Sequence, residues 1–328
     1  MRPEHNFAFA AQGRYSLPLA ASVGSLLEYL NRDGRPVHLW VLDLQAEPGT
    51  RERVQRVVRR SGRPGVRLDW LQLREADVRQ LPTVGHLAPA TYARLLLPAI
   101  MPPEIDAVVY LDSDLVVQRD LSTLTDLDLG GAAIGAVQDF AVELVGSPRS
   151  GIRDLRVKPA DDRYFNAGVL LMGLGVWRSE DLAERVFAFA QAHAPLQHSD
   201  QDALNAVISD WHELGPEWNV QSMIHWLDGA ADSDLIARLR RLRPMLLESA
   251  CVIHFSGPSK PWDPWYRNPD AGVWTRALRR SRGLSPGETL RWSARYYPTR
   301  LAAWCLVSLA RLLRRRRRPP SRRAAVPS

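Results

Sequence analysis

The sequence is short of three things. Cysteine is nearly missing: the 328 residues carry two, Cys251 and Cys305, too few for a disulfide framework. A reducing compartment is therefore expected, and the chain reads as cytoplasmic. Long apolar runs are missing as well. None reaches the roughly 18 residues that cross a bilayer, and the opening MRPEHNFAFAAQG has too short an apolar core for a secretory signal. Lysine is the third scarcity. Of 43 basic residues only Lys158 and Lys260 are lysine. At 45% hydrophobic and 24% charged, the chain is neither a disordered polymer, a collagen nor a coiled coil.

The charge is unevenly placed. The net is +7, yet residues 311–323 hold eight Arg and no acid, so residues 1–310 sum to −1. A nucleic-acid-binding domain carries its basic face on the fold itself, so no nucleic-acid partner is expected. The basic end has its own pattern. Thr299 is placed to cap a helix, and Leu301, Trp304, Cys305, Leu309, Leu312 and Leu313 recur at helical spacing. Six Arg from Arg311 to Arg318 surround and follow this stretch. A basic amphipathic segment too short to span is expected to lie on an anionic membrane surface, the alternatives being a nucleic-acid-binding tail or a disordered solubilising end. The chain thus divides into a domain over 1–265, a Trp/Arg-rich extension over 266–298, and a membrane-associating tail over 299–328.

The first part alternates strands with helices. Phe7–Ala11 and Val37–Leu44 read as buried strands, and Leu19–Leu30 and Glu52–Arg60 as helices. Val66–Leu71 and Ala107–Leu111 read as further strands. Such alternation indicates an α/β fold with a mostly parallel central sheet. Ligands of these sheets bind beyond the carboxyl ends of the strands. Gln12–Tyr15 and Asp112–Asp114 occupy two such ends.

Val108–Val117 reads VVYLDSDLVV. Two carboxylates inside an apolar run are costly to bury unless a cation compensates them. In extended geometry Asp112 and Asp114 point to one side and are able to share a divalent cation such as Mg²⁺ or Mn²⁺. Asp-Ser-Asp is also good turn chemistry. Far along the chain, VIHFSGPSKPW (252–262) places His254 after an apolar run, with Gly257 and Lys260 close behind. A glycine lets backbone amides approach an anion, and a lysine supplies a point charge for phosphate. Two carboxylates, a His and a Lys together describe a diphosphate site, although a lone His is more often a packed core residue. In YFNAGVLLM (164–172), Asn166 stands in an Asn-Ala-Gly that reads either as a turn or as an amide presented at a sheet end. In SDQD, Ser199 and Asp202 read as a capping box, with Asp200 and Gln201 in the first helical turn. His86 and Arg94, around TYARLLLP, read as polar groups flanking the core.

Taken in order, AAQGRY (10–15), TYARL (91–95), YLDSDLVV (110–117), FNAGVLLM (165–172) with DQDALN (200–205), and HFSGPSKPW (254–262) resemble glycosyltransferase family 8. This is the family of glycogenin and of bacterial lipopolysaccharide galactosyl- and glucosyltransferases. The resemblance covers roughly residues 6–265. It implies a GT-A fold, a Mn²⁺-dependent UDP-hexose site (Mg²⁺ being the alternative ion), and retention of anomeric configuration. By position it implies Asp112, Asp114 and His254 as metal ligands. Ala10, Gln12, Tyr15, Arg94, Ser113, Asn166, Gly257 and Lys260 would contact the donor. Gln201, Asp200 and Asp139 (in AVQDF) would stand nearest the chemistry, and His86 falls where the family has another active-site His. The first loop departs from the family. Gln12-Gly13-Arg14 stands where the family has acidic or amide residues, leaving Gln12 for a base edge and Arg14 either to meet phosphate or to tilt the site toward another nucleotide.

The resemblance further implies a glycan or glycolipid acceptor, and the basic tail then suggests a place at the inner face of the plasma membrane. A neutral amide at Gln201 is a poor nucleophile, which favours a front-face mechanism over covalent capture by Asp200 or Asp139. Trp262, Trp265 and Tyr266 would either stack on an acceptor sugar or pack. A catalytically silent nucleotide-sugar or membrane-binding module is the rival reading, and the intact Asp112, Asp114, His254, Lys260 and Gln201 weigh against it.

Overall fold

The computed structural model describes residues 4–13, 15–73, 89–263, 266 and 268–289. Arg14, His86, Trp265 and the tail over 299–328 lie outside the described residues. No helix among the described residues is long and apolar enough to cross a membrane.

The chain opens with β1 (His5–Gly13), α1 (Ser16–Tyr29), β2 (Val37–Ala46), α2 (Thr50–Arg60) and β3 (Val66–Gln72). β1 and β2 run parallel in register from His5 opposite Val37 to Gln12 opposite Leu44. Both faces of these strands are covered, which is why they read as nearly continuous apolar runs. Alternate side chains enter different layers. Phe7, Phe9, Leu39 and Val41 join one core, and Ala8, Trp40 and Leu42 join the other.

The chain then returns to the opposite side of β1 and lays down β4 (Ala107–Leu111). Later come β5 (Leu115–Val117), β6 (Ile134–Gln138), β7 (Phe165–Gly173) and β8 (His212–Glu213). The large sheet has the order β3-β2-β1-β4-β7-β6-β8. Only the pairings of β7, with β4 and with β6, are antiparallel, so the sheet is mostly parallel as expected. β1 and β4 sit side by side but lead in opposite directions across the sheet, a switch point of the kind beyond which ligands of such sheets bind.

A small second sheet continues from the end of β4. β10 (Val252–His254) pairs antiparallel with β5 and parallel with β9 (Val220–Gln221). The Asp-Ser-Asp segment is therefore a tight turn that carries the chain from β4 in the large sheet to β5 in the small one. The extended geometry read from the sequence is corrected: these residues turn, and still converge.

Beyond β8 lie α5 (Asp234–Ser249) and α6 (Ala271–Ser281), preceded in the chain by α3 (Leu182–Ala192) and α4 (Asp200–Val207). α6 lies against α1 closely enough that a Cβ on Gly24 would fall 2.2 Å from Ser281 Cβ. Trp274, Leu278 and Leu284 are buried in the same core as Phe7 and Phe9. Packing thus continues past residue 265 through the described part of the extension.

Candidate active site

The strand ends bring the predicted acids and His254 together. β4 ends at Leu111, and Asp112 N–H donates to Gly168 O at 2.9 Å, hooking the turn to β7. Ser113 Oγ donates to Ala10 O at 2.6 Å, tying the same turn to β1. On the far side Phe255 N–H donates to Asp114 O at 3.0 Å, and His254 lies opposite Leu115. Asp112, Asp114 and His254 consequently offer three ligand atoms within 4.8 Å of one another. Two hard carboxylate oxygens and one imidazole form a donor set suited to a divalent cation. The residues present fit the metal that the sequence resemblance implies.

The charges around this cluster are balanced. Lys260 Nζ donates to Asp114 Oδ2 and, at 2.9 Å, to Phe255 O. Burial by itself would raise the Asp114 carboxyl, but Lys260 and His254 outweigh it and hold it well below the usual carboxylate range. Asp112 is raised: burial dominates and the neighbouring Asp114 adds to it, against the opposing pull of Arg94. Arg94 is buried between two acids. Its Nη2 donates to Asp112 Oδ1 at 3.0 Å, and its Nε lies 3.0 Å from Asp200 Oδ2. Its guanidinium also lies 4.4 Å from the centre of the Tyr110 ring. Arg94 is therefore the buried hinge between the two carboxylates rather than a group merely flanking the core.

Asp200 behaves differently. Burial lifts its carboxyl to about 6, against the pull of Arg94 and aided by Asp112. An acid raised in the folded state favours folding most below about pH 4, and that contribution is lost as the pH climbs through 6. The ionised group then costs about 3 kcal/mol. In metal-free protein, Asp200→Asn should raise the unfolding midpoint at pH 7.5 and give no gain at pH 4. An equal gain at both values would show that the charge is not the cause.

A second polar chain runs along the other wall. Gln201 Nε2 donates to Asp139 Oδ2 at 3.1 Å and its Oε1 accepts Ala167 N–H at 3.0 Å. Asn166 Nδ2 donates to the same Asp139 oxygen at 2.9 Å, while Asp139 Oδ1 takes the amides of Ala141 and Val142. Asn219 links Asn166 to His254, with bonds of 2.9 Å and 3.1 Å. The Asn-Ala-Gly is thus not a turn, and Asn166 stands one residue in from the start of the strand. It lies within β7, and its amide is buried in this chain.

The capping-box reading of Ser199 and Asp202 is also corrected. Ser199 precedes α4 with φ 49° and its side chain caps nothing. Asp202 instead accepts from Gly151 N, Tyr164 OH and His198 N. The remaining predicted groups stand at the rim. Gln12 is the penultimate residue of β1 and its carbonyl accepts Tyr15 N–H at 3.1 Å. Tyr15 meets Trp262 edge-on, and Trp262 rests on Trp274, so this indole packs. Gly257 has φ +93°, which a side chain tolerates poorly.

Two residues escaped the sequence reading. Asn219 is fully buried, and its partners Asn166 and His254 are 53 and 35 positions away. Gly168 lay in a quoted motif, but its importance is spatial: a Cβ there would fall 2.2 Å from His254 Cε1. No local pattern signals either.

An α/β sheet with acids, a His and a Lys gathered at its switch point defines the GT-A class of sugar-nucleotide transferases, and comparison with known proteins agrees. The chain matches the sequence profile of Glycosyl transferase family 8 over residues 6–266 and belongs to that family. It is 29% identical to General stress protein A of Bacillus subtilis, over 79% of this chain and 87% of that protein. It is 25% identical to the lipopolysaccharide 1,2-glucosyltransferase of Escherichia coli, over 69% of this chain and 65% of that enzyme. The solved galactosyltransferase LgtC, held with donor and acceptor sugar analogues, superposes with a TM-score of 0.69 at 24% identity. The match covers 86% of this chain and 98% of LgtC. The protein is accordingly a glycosyltransferase with the GT-A fold.

Proposed function

We propose that the protein is a retaining, divalent-metal-dependent hexosyltransferase. It moves galactose or glucose from a UDP-sugar to a lipid-linked surface glycan such as lipopolysaccharide. The convergence of Asp112, Asp114 and His254 beside Lys260 carries the reading. The names of relatives such as the E. coli enzyme support a hexose donor and a lipopolysaccharide acceptor. Mn²⁺ is the favoured ion, with Mg²⁺ the alternative.

When bound, the cation would neutralise diphosphate charge as the sugar leaves. The protein's own residues do the rest. Lys260, which pairs with Asp114, would offer a further positive charge to the leaving diphosphate. Arg94 keeps Asp112 and Asp200 oriented. Gln201 is held by Asp139 and Ala167 with one carbonyl lone pair to spare, which suits it to face a developing oxocarbenium ion. Asp139 already accepts four donors and so serves to position Gln201 and Asn166. This favours the front-face route over a carboxylate nucleophile.

Donor hydrolysis with Mn²⁺ across a panel of nucleotide sugars tests the reading. Turnover of one UDP-hexose, at least about 100-fold lower in Asp114→Ala, is expected. Turnover restricted to a non-uridine donor would move the base assignment to Gln12 and its loop. No turnover and no metal-dependent nucleotide binding would leave a silent module. The basic tail over 299–328 is read as a cytoplasmic-face membrane anchor. Its deletion should abolish sedimentation with anionic liposomes and spare soluble turnover; unchanged sedimentation would discard the anchor.

A further inference from the structure

We propose that Asn219 is the positioning residue that decides which nitrogen of His254 faces the metal site. The inference rests on the metal reading above and adds to it a residue that sequence alone did not reveal. It follows from the polarity of the buried hydrogen-bond chain. Asp139 can only accept when ionised, and its Oδ2 faces Asn166 at 2.9 Å. Asn166 must therefore turn its NH2 group toward Asp139. Its Oδ1 is then left for Asn219, and the backbone N–H of Gly168 pins that same oxygen at 3.0 Å. With an acceptor before it, Asn219 must present its own NH2, at 2.9 Å. Its Oδ1 consequently faces His254 Nδ1 at 3.1 Å.

An acceptor at that position requires Nδ1 to carry the proton, which leaves the Nε2 lone pair for a cation. Nε2 is the nitrogen that faces the acids, 3.5 Å from Asp114 Oδ1 and 3.9 Å from Asp112 Oδ2. Asp114 competes for a proton on Nε2, but Lys260 engages its other oxygen, and a bound cation removes the competition. The ring plane is fixed as well, because Gly168 leaves room for it and nothing larger would. Two backbone amides at Asp139 and one at Gly168 thus set the tautomer of a histidine through two amide side chains. An outer partner of this kind contributes about 10–100-fold to metal affinity.

The test measures Mn²⁺ affinity directly, by counting free ion with electron paramagnetic resonance, in wild type, Asn219→Leu and Asn219→Asp. Asn219→Leu removes the acceptor and should weaken Mn²⁺ about 10–100-fold. Asn219→Asp keeps an acceptor toward His254 and should hold the affinity near that of wild type, clear of the loss of about 10-fold or more expected when the acceptor is removed. It loses the donor to Asn166, so its turnover should fall while Mn²⁺ binding does not. Equal weakening in both variants, or in neither, overturns the proposal. Near-UV circular dichroism checks the fold, and Asn219→Ser, too short to reach the ring, replaces the leucine variant if that one fails to fold. If wild type binds no Mn²⁺, the metal reading fails separately. Nitrogen-15 shifts of His254 in metal-free protein then decide the tautomer: the Nδ1–H fraction should drop in Asn219→Leu, and an unchanged fraction rejects the role of Asn219.

Discussion

Gly168→Ala is expected to cost at least about 100-fold in metal-dependent turnover while leaving the sheet folded. The reason is a single close approach. Gly168 lies in β7, and the His254 ring lies over it so closely that a Cβ would fall 2.2 Å from Cε1, 2.6 Å from Nδ1 and 3.0 Å from Nε2. Neither side yields cheaply. The Gly168 carbonyl accepts Asp112 N–H and its amide donates to Asn166 Oδ1, so both of its backbone polar groups are tied down. His254 is held by Asn219 and by its place in β10. The methyl group must push the imidazole away from the two aspartates. Misplacement of a positioned group by an ångström is enough for a loss of that size. Mn²⁺ binding should weaken together with turnover, while the far-ultraviolet circular dichroism stays that of wild type. Full activity in Gly168→Ala would mean that His254 does not serve the site from this position.

Asp202→Ala should give the largest loss of stability among the site's neighbours, about 4 kcal/mol. The carboxylate is fully buried and meets Tyr164 OH at 2.7 Å, His198 N at 2.7 Å and Gly151 N at 3.1 Å. Alanine would leave one buried and two partly buried donors without this partner, each at a cost of about 1–3 kcal/mol if no water replaces it. These bonds join the loop at 147–152, the start of β7 and the first turn of α4. That turn carries Asp200 and Gln201, so turnover should fall with stability. Asp202→Asn should lie between alanine and wild type, because its Oδ1 can keep Gly151 N–H and Tyr164 OH while the NH2 in place of Oδ2 cannot accept His198 N–H. Urea unfolding with a common slope measures the order. A loss below about 1 kcal/mol for alanine would show that water takes over the three bonds.

The same residue illustrates why part of the site was hidden. From sequence, Ser199 and Asp202 have the spacing of a capping box, and that local rule is sound in general. The chain uses Asp202 for three partners in three different segments instead, and Ser199 sits at a positive φ where its hydroxyl caps nothing. Long-range satisfaction of buried donors outweighed a local cap worth about 1 kcal/mol. The Asp-Ser-Asp pair shows the reverse case. Both of its readings, a turn and a shared ion site, are compatible with the structure, because the turn itself aims the two carboxylates.

Period and composition were enough for much of the architecture. Mostly apolar runs at 7–11, 37–44 and 107–111, alternating with helical patterns, indicated a mostly parallel sheet because strands buried on both faces need apolar side chains on both. The rarity of lysine drew attention to Lys260, and two acids in an apolar run drew attention to Asp112 and Asp114. What the tertiary structure alone decided is how these meet. His254 comes to the acids because β10 pairs with β5, a register between residues 252–254 and 115–117 that no local pattern encodes. Asn219 and Gly168 owe their importance to the same long-range pairing: one is the only carbonyl placed to hold the ring's far nitrogen among the described contacts, and the other is the surface on which the ring rests. Side-chain chemistry is a property of the residue and can be read along the chain, whereas proximity is created only when the sheets close.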